Sequence, residues 1–243
     1  MKQRFLETNN GLSALLVNKS DYDGHWVSSL THSLSKGLPD TELISLSERV
    51  DLIREIRRVS QKPIMVDCDT GGKIEHFNYN SKWLLEAGAD YLVIEDKKGF
   101  KQNSLKNADH ELEEVDEFCK KIKARFYDTK VIARLESLIA KHSIYEALLR
   151  AEAYLKAGAW GILIHSKQKV QATEVIEFAE KFREKYDNPL IAIPSTYKLP
   201  EKNPFDITIE ANQLTRVSYE AMEKYIQGKP VKKADIDKIV NLI

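Results

Sequence analysis

Short apolar runs alternate with longer amphipathic segments along the whole chain. Residues 11–17 (GLSALLV) read as a first strand, and residues 25–29 as a second, after the polar turn Asp21-Tyr22-Asp23-Gly24. A helix is predicted over 43–60, where Leu43, Leu46, Val50, Ile53 and Ile56 recur at helical spacing. Residues 63–67 form a third strand. Residues 77–87 read as a helix ending at Gly88, where a left-handed cap carries no Cβ strain. Strands then follow at 90–95, 129–134, 160–165, 189–193 and 206–210. Between them lie helices at 112–126, from the N-cap Ser143 (with Glu146 in the capping-box position) to Gly158, and at 173–186. Two further helices, 217–227 and 234–243, close the chain.

Eight strands, nearly all separated by helices, predict a (β/α)8 TIM barrel, a single domain over 1–243 with extra C-terminal helices. The runs VIARL, GILIH and LIAI are apolar throughout, as parallel strands buried on both faces require. The alternative, an open doubly wound sheet, lacks its glycine-rich phosphate loop after the first strand. With 37 Lys+Arg against 37 Asp+Glu, no global field favours nucleic acid or an acidic membrane surface. Cys68 and Cys119 have neither metal-ligand spacing nor a disulfide framework, which suits a reducing cytoplasm. The N-terminus has no signal-peptide core, and no apolar run approaches the roughly 20 residues of a membrane span.

A barrel builds its active site from the C-terminal strand ends, so the polar residues there carry the chemistry. They are Ser28 and Ser29, Asp67 and Asp69, Glu95 and Asp96, Arg134 and Glu136, His165 and Ser166, and Ser195 and Thr196. Asp67, Asp69 and Glu95 are hard oxygen donors suited to a Mg²⁺ that keeps several waters. Gly71-Gly72 allows a sharp turn beside them. Arg134 offers a donor fork for a carboxylate or phosphate. His165 is either a ligand-facing hydrogen bonder or a structural histidine. In EDKKGFKQNSL, from Glu95 to Leu105, Lys101, Asn103 and Ser104 are positioned to fold over a substrate and exclude water. The ligand these residues predict is a small dianion or trianion.

Several segments resemble the phosphoenolpyruvate mutase branch of the isocitrate lyase/phosphoenolpyruvate mutase superfamily: NGLSALLV, the tryptophan-serine segment at Trp26, DCDTGG, EDKKGFKQNSL, IARLESLIA, ILIHSK and ANQLTR. The order EDK, a lysine, then NSL is specific to that branch. The resemblance implies reversible isomerisation of phosphoenolpyruvate to phosphonopyruvate, the entry to phosphonate biosynthesis. It implies that Asp69 binds Mg²⁺ directly, with Asp67 and Glu95 acting through the ion's water shell. It assigns Arg134 to the phosphoryl group and Ser28 and Ser29, beside Trp26, to the substrate carboxylate. Asp40, in GLPDTE, matches an active-site aspartate, and Lys101, Asn103, Ser104 and Leu105 match a gating loop. A homo-oligomer, dimer or tetramer, and a phosphonopyruvate decarboxylase as pathway neighbour are further implications.

The chain also departs from the superfamily. The lyases carry a loop cysteine in a KKCGH-like motif, whereas this loop reads KKGFKQ, which argues against carbon–carbon cleavage by that route. Cys68 stands where the family more often has alanine, and its side chain is expected to point away from the flanking aspartates. The segment IPSTYKLPEKNPFDI differs in detail, and the chain is expected to have a reduced C-terminal helix exchange between subunits. Two other readings stay open: a phosphonopyruvate hydrolase on the same scaffold, and a non-catalytic barrel that binds phosphoenolpyruvate.

Overall fold

The computed structural model describes residues 2–99, 101 and 111–242. Eight parallel strands close a barrel in chain order: β1 (Gln3–Glu7), β2 (Gly24–Val27), β3 (Ile64–Asp67), β4 (Tyr91–Glu95), β5 (Lys130–Leu135), β6 (Gly161–Ile164), β7 (Leu190–Ala192) and β8 (Ile207–Glu210), which pairs back onto β1. The helices are α1 (Gly11–Asn18), α2 (Ser29–Ser35), α3 (Leu46–Val59), α4 (Ile74–Ala87), α5 (Val115–Lys123), α6 (Ile144–Lys156), α7 (Thr173–Arg183), α8 (Gln213–Ile226) and α9 (Ile236–Val240). The chain is thus the (β/α)8 barrel that its hydrophobic pattern predicts, with two helices after the last strand.

Successive residues of a strand face opposite ways, and the barrel sorts them accordingly. Phe5, Trp26, Met65, Val93, Ile132, Leu163 and Ile191 pack together inside the barrel. Their neighbours, such as Val66, Leu92, Ala133 and Ile162, pack outward against the helices. Both sets are buried, which is why these strands read as unbroken apolar runs. Gly88 ends α4 in the left-handed region at φ 112°, as expected.

Residues 11–17 are helical, which corrects the expected first strand; β1 lies earlier, in QRFLE. A short apolar run does not separate strand from buried helix by periodicity alone, and here the cap decides. The Asn10 side chain accepts from the Ser13 backbone while the Ser13 hydroxyl reaches back to the cap, so the turn is closed reciprocally. Residues 28 and 29 leave the second strand as well: Ser28 caps α2, accepting from the Thr31 N–H. Helix α3 starts at Leu46, behind a capping box made by Ser45 and Glu48. Leu112 stays outside α5 and bridges Lys97 instead. No helix among the described residues is long and apolar enough to cross a membrane.

Candidate active site

Two residues beyond each apolar interior position, the same inward face turns polar. Phe5 is followed by Glu7, Trp26 by Ser28, Met65 by Asp67, Val93 by Glu95, Ile132 by Arg134 and Leu163 by His165, all buried. Four of them, Ser28, Asp67, Arg134 and His165, line a cavity at the C-terminal end of the barrel, together with Trp26, Asp40, Lys101 and others. Seven expected site residues therefore meet in one place. Ser29, Asp69 and Glu95 stand directly behind that lining, bonded to it. Asn103, Ser104 and Leu105 lie outside the described residues.

Two charge clusters share the floor. In the first, the Lys101 ammonium stands 2.7 Å from Asp69 Oδ1, 3.4 Å from Asp40 Oδ1 and 3.6 Å from Asp67 Oδ2. It also donates to the Ser29 hydroxyl, which in turn donates to Asp67 Oδ2 at 2.8 Å. Asp69 is held from behind by Arg49, whose Nη2 lies 2.7 Å from Oδ2 and whose Nη1 donates to the Asp67 carbonyl. In the second cluster, Arg134 Nε lies 2.7 Å from Glu136 and Nη2 lies 3.4 Å from Glu95. Lys97 completes it, 3.6 Å from Glu95 and 3.4 Å from Glu136. Arg134 Nη1, 3.9 Å from Asp67 Oδ2, links the two.

The turn that presents Asp69 is strained and buttressed. Asp69 sits in the left-handed region at φ 55°, and Gly71 and Gly72 follow at φ 75° and 69°. A Cβ on Gly71 would meet Ile94 Cγ2 at 2.9 Å, so both space and conformation demand glycine. The Asp69 N–H donates to Asp67 Oδ1, its carbonyl accepts from the Glu95 N–H, and Glu42 accepts from both the N–H and the hydroxyl of Thr70.

Burial and these partners set the protonation states. Burial opposes the Asp69 charge, but Lys101 and Arg49 outweigh it and hold its carboxyl well below the usual range. Burial likewise opposes the Lys101 charge, yet Asp67, Asp69, Glu95 and Asp40 keep that amine protonated. Burial dominates at Glu95 and pushes it up to about 7 despite Arg134. His165 is lowered to about 4 by burial and then by Arg134, so its ring is neutral at neutral pH. Its Nδ1, like Trp26 Nε1, has no hydrogen-bond partner among the described residues. Burial pushes the Cys68 thiol up to about 12; its side chain packs among the helices, away from the aspartates, as the strand alternation requires.

Asp96 is a correction to the expectation that both Glu95 and Asp96, at the end of the strand, carry the chemistry. Its carboxylate turns out of the cavity, accepting from the Glu136 N–H at 2.8 Å, Tyr154 Oη at 2.9 Å and Arg150 Nη1 at 3.3 Å. Arg49 is the residue that sequence reasoning missed. Its signal was present: Arg49, Leu52, Ile53 and Ile56 share the buried face of α3, and a cation on an apolar stripe needs a buried partner.

A family model described as phosphoenolpyruvate phosphomutase matches residues 3–228. A phosphoenolpyruvate phosphomutase of Tetrahymena pyriformis is 33% identical over 235 residues, covering 90% of this chain and 76% of that relative. A phosphonopyruvate hydrolase of Variovorax sp. (strain Pal2) is 35% identical over 209 residues, covering 83% of this chain and 70% of that relative. The solved structure of a phosphonopyruvate hydrolase in complex with oxalate and Mg²⁺ superposes with a TM-score of 0.86 at 29% identity, covering 99% of this chain and 89% of that one. With the family model matched over residues 3–228 and the barrel shared, the chain belongs to the phosphoenolpyruvate phosphomutase family of enzymes.

Proposed function

We propose that the chain is a Mg²⁺-dependent isomerase that interconverts phosphoenolpyruvate and phosphonopyruvate. The observation that carries this reading is that Arg134 and Asp67 line one cavity while Asp69 and Glu95 stand directly behind it, paired with Lys101 and Arg134. A carboxylate set beside a guanidinium fork suits a cation and a small polyanion bound together.

The residues present fit Mg²⁺. Asp67, Asp69 and Glu95 are hard donors, and neither Glu95 oxygen accepts a hydrogen bond among the described residues. Among the described residues no group of three or more His, Cys, Asp or Glu side chains is arranged to hold a metal ion; one or two carboxylates with waters are enough for Mg²⁺. When bound, Mg²⁺ supplies positive charge for the enolate oxygen. The chain's own groups do the rest. Arg134 and Asn103 hold the phosphoryl oxygens; Ser28, Ser29 and the unpartnered Trp26 N–H take the carboxylate. Lys101 and Asp40 frame the site. Neutral His165 is a hydrogen bonder rather than a charge. Ser104 and Leu105 help exclude water. The phosphorus–oxygen bond breaks as the enolate carbon donates its electron pair to phosphorus, with no net proton transferred. Such a transfer rests on positioning, electrostatics and dryness.

The hydrolase relative is as similar in sequence as the mutase, and its reaction differs in admitting water. Phosphorus NMR of the protein with Mg²⁺ and phosphonopyruvate separates the readings. Growth of a phosphoenolpyruvate signal, lost on chelation, is expected. Inorganic phosphate with pyruvate would replace the mutase by the hydrolase, and unchanged phosphonopyruvate would leave a binding barrel. We place the enzyme in the cytoplasm, as a homo-oligomer, upstream of a phosphonopyruvate-consuming decarboxylase. Free Cys68 and Cys119, and the apolar face of α8 that no described residue buries, support the first two assignments.

A further inference from the structure

Asp69 divides its carboxylate between two cations of different kinds. Oδ2 is paired with Arg49, which is anchored on α3 and donates a second time to the Asp67 carbonyl. Oδ1 is paired with Lys101, whose ammonium stands where Asp40, Asp67 and Asp69 converge. We propose that the Lys101 ammonium holds the divalent cation's place in the metal-free protein, and that Mg²⁺ binds by exchanging it out while Arg49 stays as the permanent counter-ion. The inference rests on the Mg²⁺ reading above and adds the state of the site before the metal arrives.

Three observations support the exchange. The first is location: Lys101 Nζ lies 2.7 Å from Asp69 and 3.6 Å from Asp67, two of the three candidate metal carboxylates. It also donates to the Ser29 hydroxyl, which donates in turn to Asp67. A small dication needing oxygens at about 2.0–2.1 Å and an ammonium cannot use Asp69 Oδ1 together without direct repulsion.

The second is charge. Among the described residues, the side chains of Asp40, Asp67, Asp69, Glu95 and Glu136 are more than nine-tenths buried around Arg49, Lys97, Lys101 and Arg134, which are buried to a similar degree. Five carboxylates thus face four cations. Removing the Lys101 charge with nothing in its place would leave five carboxylates against three cations, which is costly in a dry site. Replacing one charge by two neutralises the cluster instead. A polyanionic substrate then restores a partner for the displaced ammonium.

The third is the asymmetry of attachment. Arg49 makes a two-point contact from a helix, whereas Lys101 reaches the site on a flexible stem outside any helix or strand. A structural counter-ion and a place-holder would look alike in charge and differ in this way.

Calorimetric titration with Mg²⁺ at pH 8, on the full chain and without substrate, tests the proposal through Lys101→Met and Arg49→Met. If the ammonium blocks the site most of the time, deleting it raises the apparent affinity by about tenfold or more, because the competent fraction approaches one. Arg49→Met should weaken binding, since Asp69 loses its orientation. Opposite signs are the expected result. Weakening in both variants, or no change in Lys101→Met, would mean that Lys101 is a structural pair and would overturn the exchange. A second readout needs no variant: acylation of Lys101 in the wild-type protein, followed by peptide mass spectrometry, should increase when Mg²⁺ is added, and constant or reduced acylation overturns the idea. If the wild-type protein binds neither Mg²⁺ by heat nor Mn²⁺ by electron paramagnetic resonance, the metal reading itself fails, an outcome distinct from the other two.

Discussion

Two regions of this molecule invert the usual partition of residues. The barrel's C-terminal floor buries nine charged side chains of Asp, Glu, Lys and Arg, while α8 buries no residue at all and exposes Val217, Tyr219, Met222, Tyr225 and Ile226. Buried charge and exposed large apolar surface are the informative exceptions to ordinary burial. The difference lies in where each finds its compensation. Every floor charge has an oppositely charged neighbour within the chain, so the floor is internally closed. The apolar stripe of α8 has none among the described residues, so it is open to something else.

The largest way to break that contrast is Arg134→Met. The substitution strips Glu95 and Glu136 of their guanidinium while leaving them buried. It should cost about 3–5 kcal/mol of stability, read as a lower urea midpoint, and abolish turnover. Adding Glu136→Gln to the same chain should recover part of the stability and none of the turnover. If Arg134→Met is as stable as the wild type, the floor is not closed in the way its distances imply.

Ile132→Ala tests the layer two residues below on the same strand. Ile132 is fully buried in the barrel interior, and its truncation should cost about 2–4 kcal/mol while turnover per folded molecule stays near wild type. Neighbouring inward positions of β5 would then separate packing from chemistry.

That separation explains what was legible in the sequence. The barrel was, because strands buried on both faces leave runs such as VIARL and GILIH, and helices between them keep their own period. The positions of Asp67, Glu95 and Arg134 were, because a barrel places strand ends on one floor. Residues 11–17 are helical rather than extended because so short a largely apolar run suits a helix or a strand, and only the Asn10–Ser13 cap discriminates. Asp96 was over-read: residues adjacent in an extended segment face opposite ways, so Glu95 and Asp96 could not both enter the cavity. For Arg49 the α3 pattern shows a cation on a buried face, but its partner, Asp69 in the turn after β3, is set by a tertiary pairing that the local pattern does not encode.

A smaller effect comes from pH. His32 and His165, both buried beside floor cations, are lowered to about 4 by burial and then by Arg49 and Arg134 respectively. Unfolding therefore takes up a proton at each between about pH 6.5 and 4, so stability is lost as pH falls through that window. Glu95 acts oppositely: raised to about 7, it releases a proton on unfolding between its ordinary value and 7, so its contribution declines as pH rises. His165→Gln should remove one proton from the uptake, flattening the slope of stability against pH by up to about 1.4 kcal/mol per unit between pH 4 and 6.5. An unchanged slope in urea titrations across that range would mean that His165 is not held neutral.

The smallest effect on chain stability belongs to the open region. Ile226 is 84% exposed, so Ile226→Lys should change the stability of the dissociated chain by no more than about 0.5 kcal/mol. Its effect on assembly should be the reverse of small. Tyr219, Met222 and Ile226 lie along one side of α8, and a lysine in such a stripe buries a charge wherever the stripe is covered. The pair Met222→Lys and Ile226→Lys should therefore shift sedimentation velocity from an oligomer to a single chain while leaving the floor's charge pairs intact. Equal sedimentation of variant and wild type would remove α8 as the self-association surface. A lost urea midpoint instead would show that the stripe is covered within the chain, and the contrast with the floor would collapse.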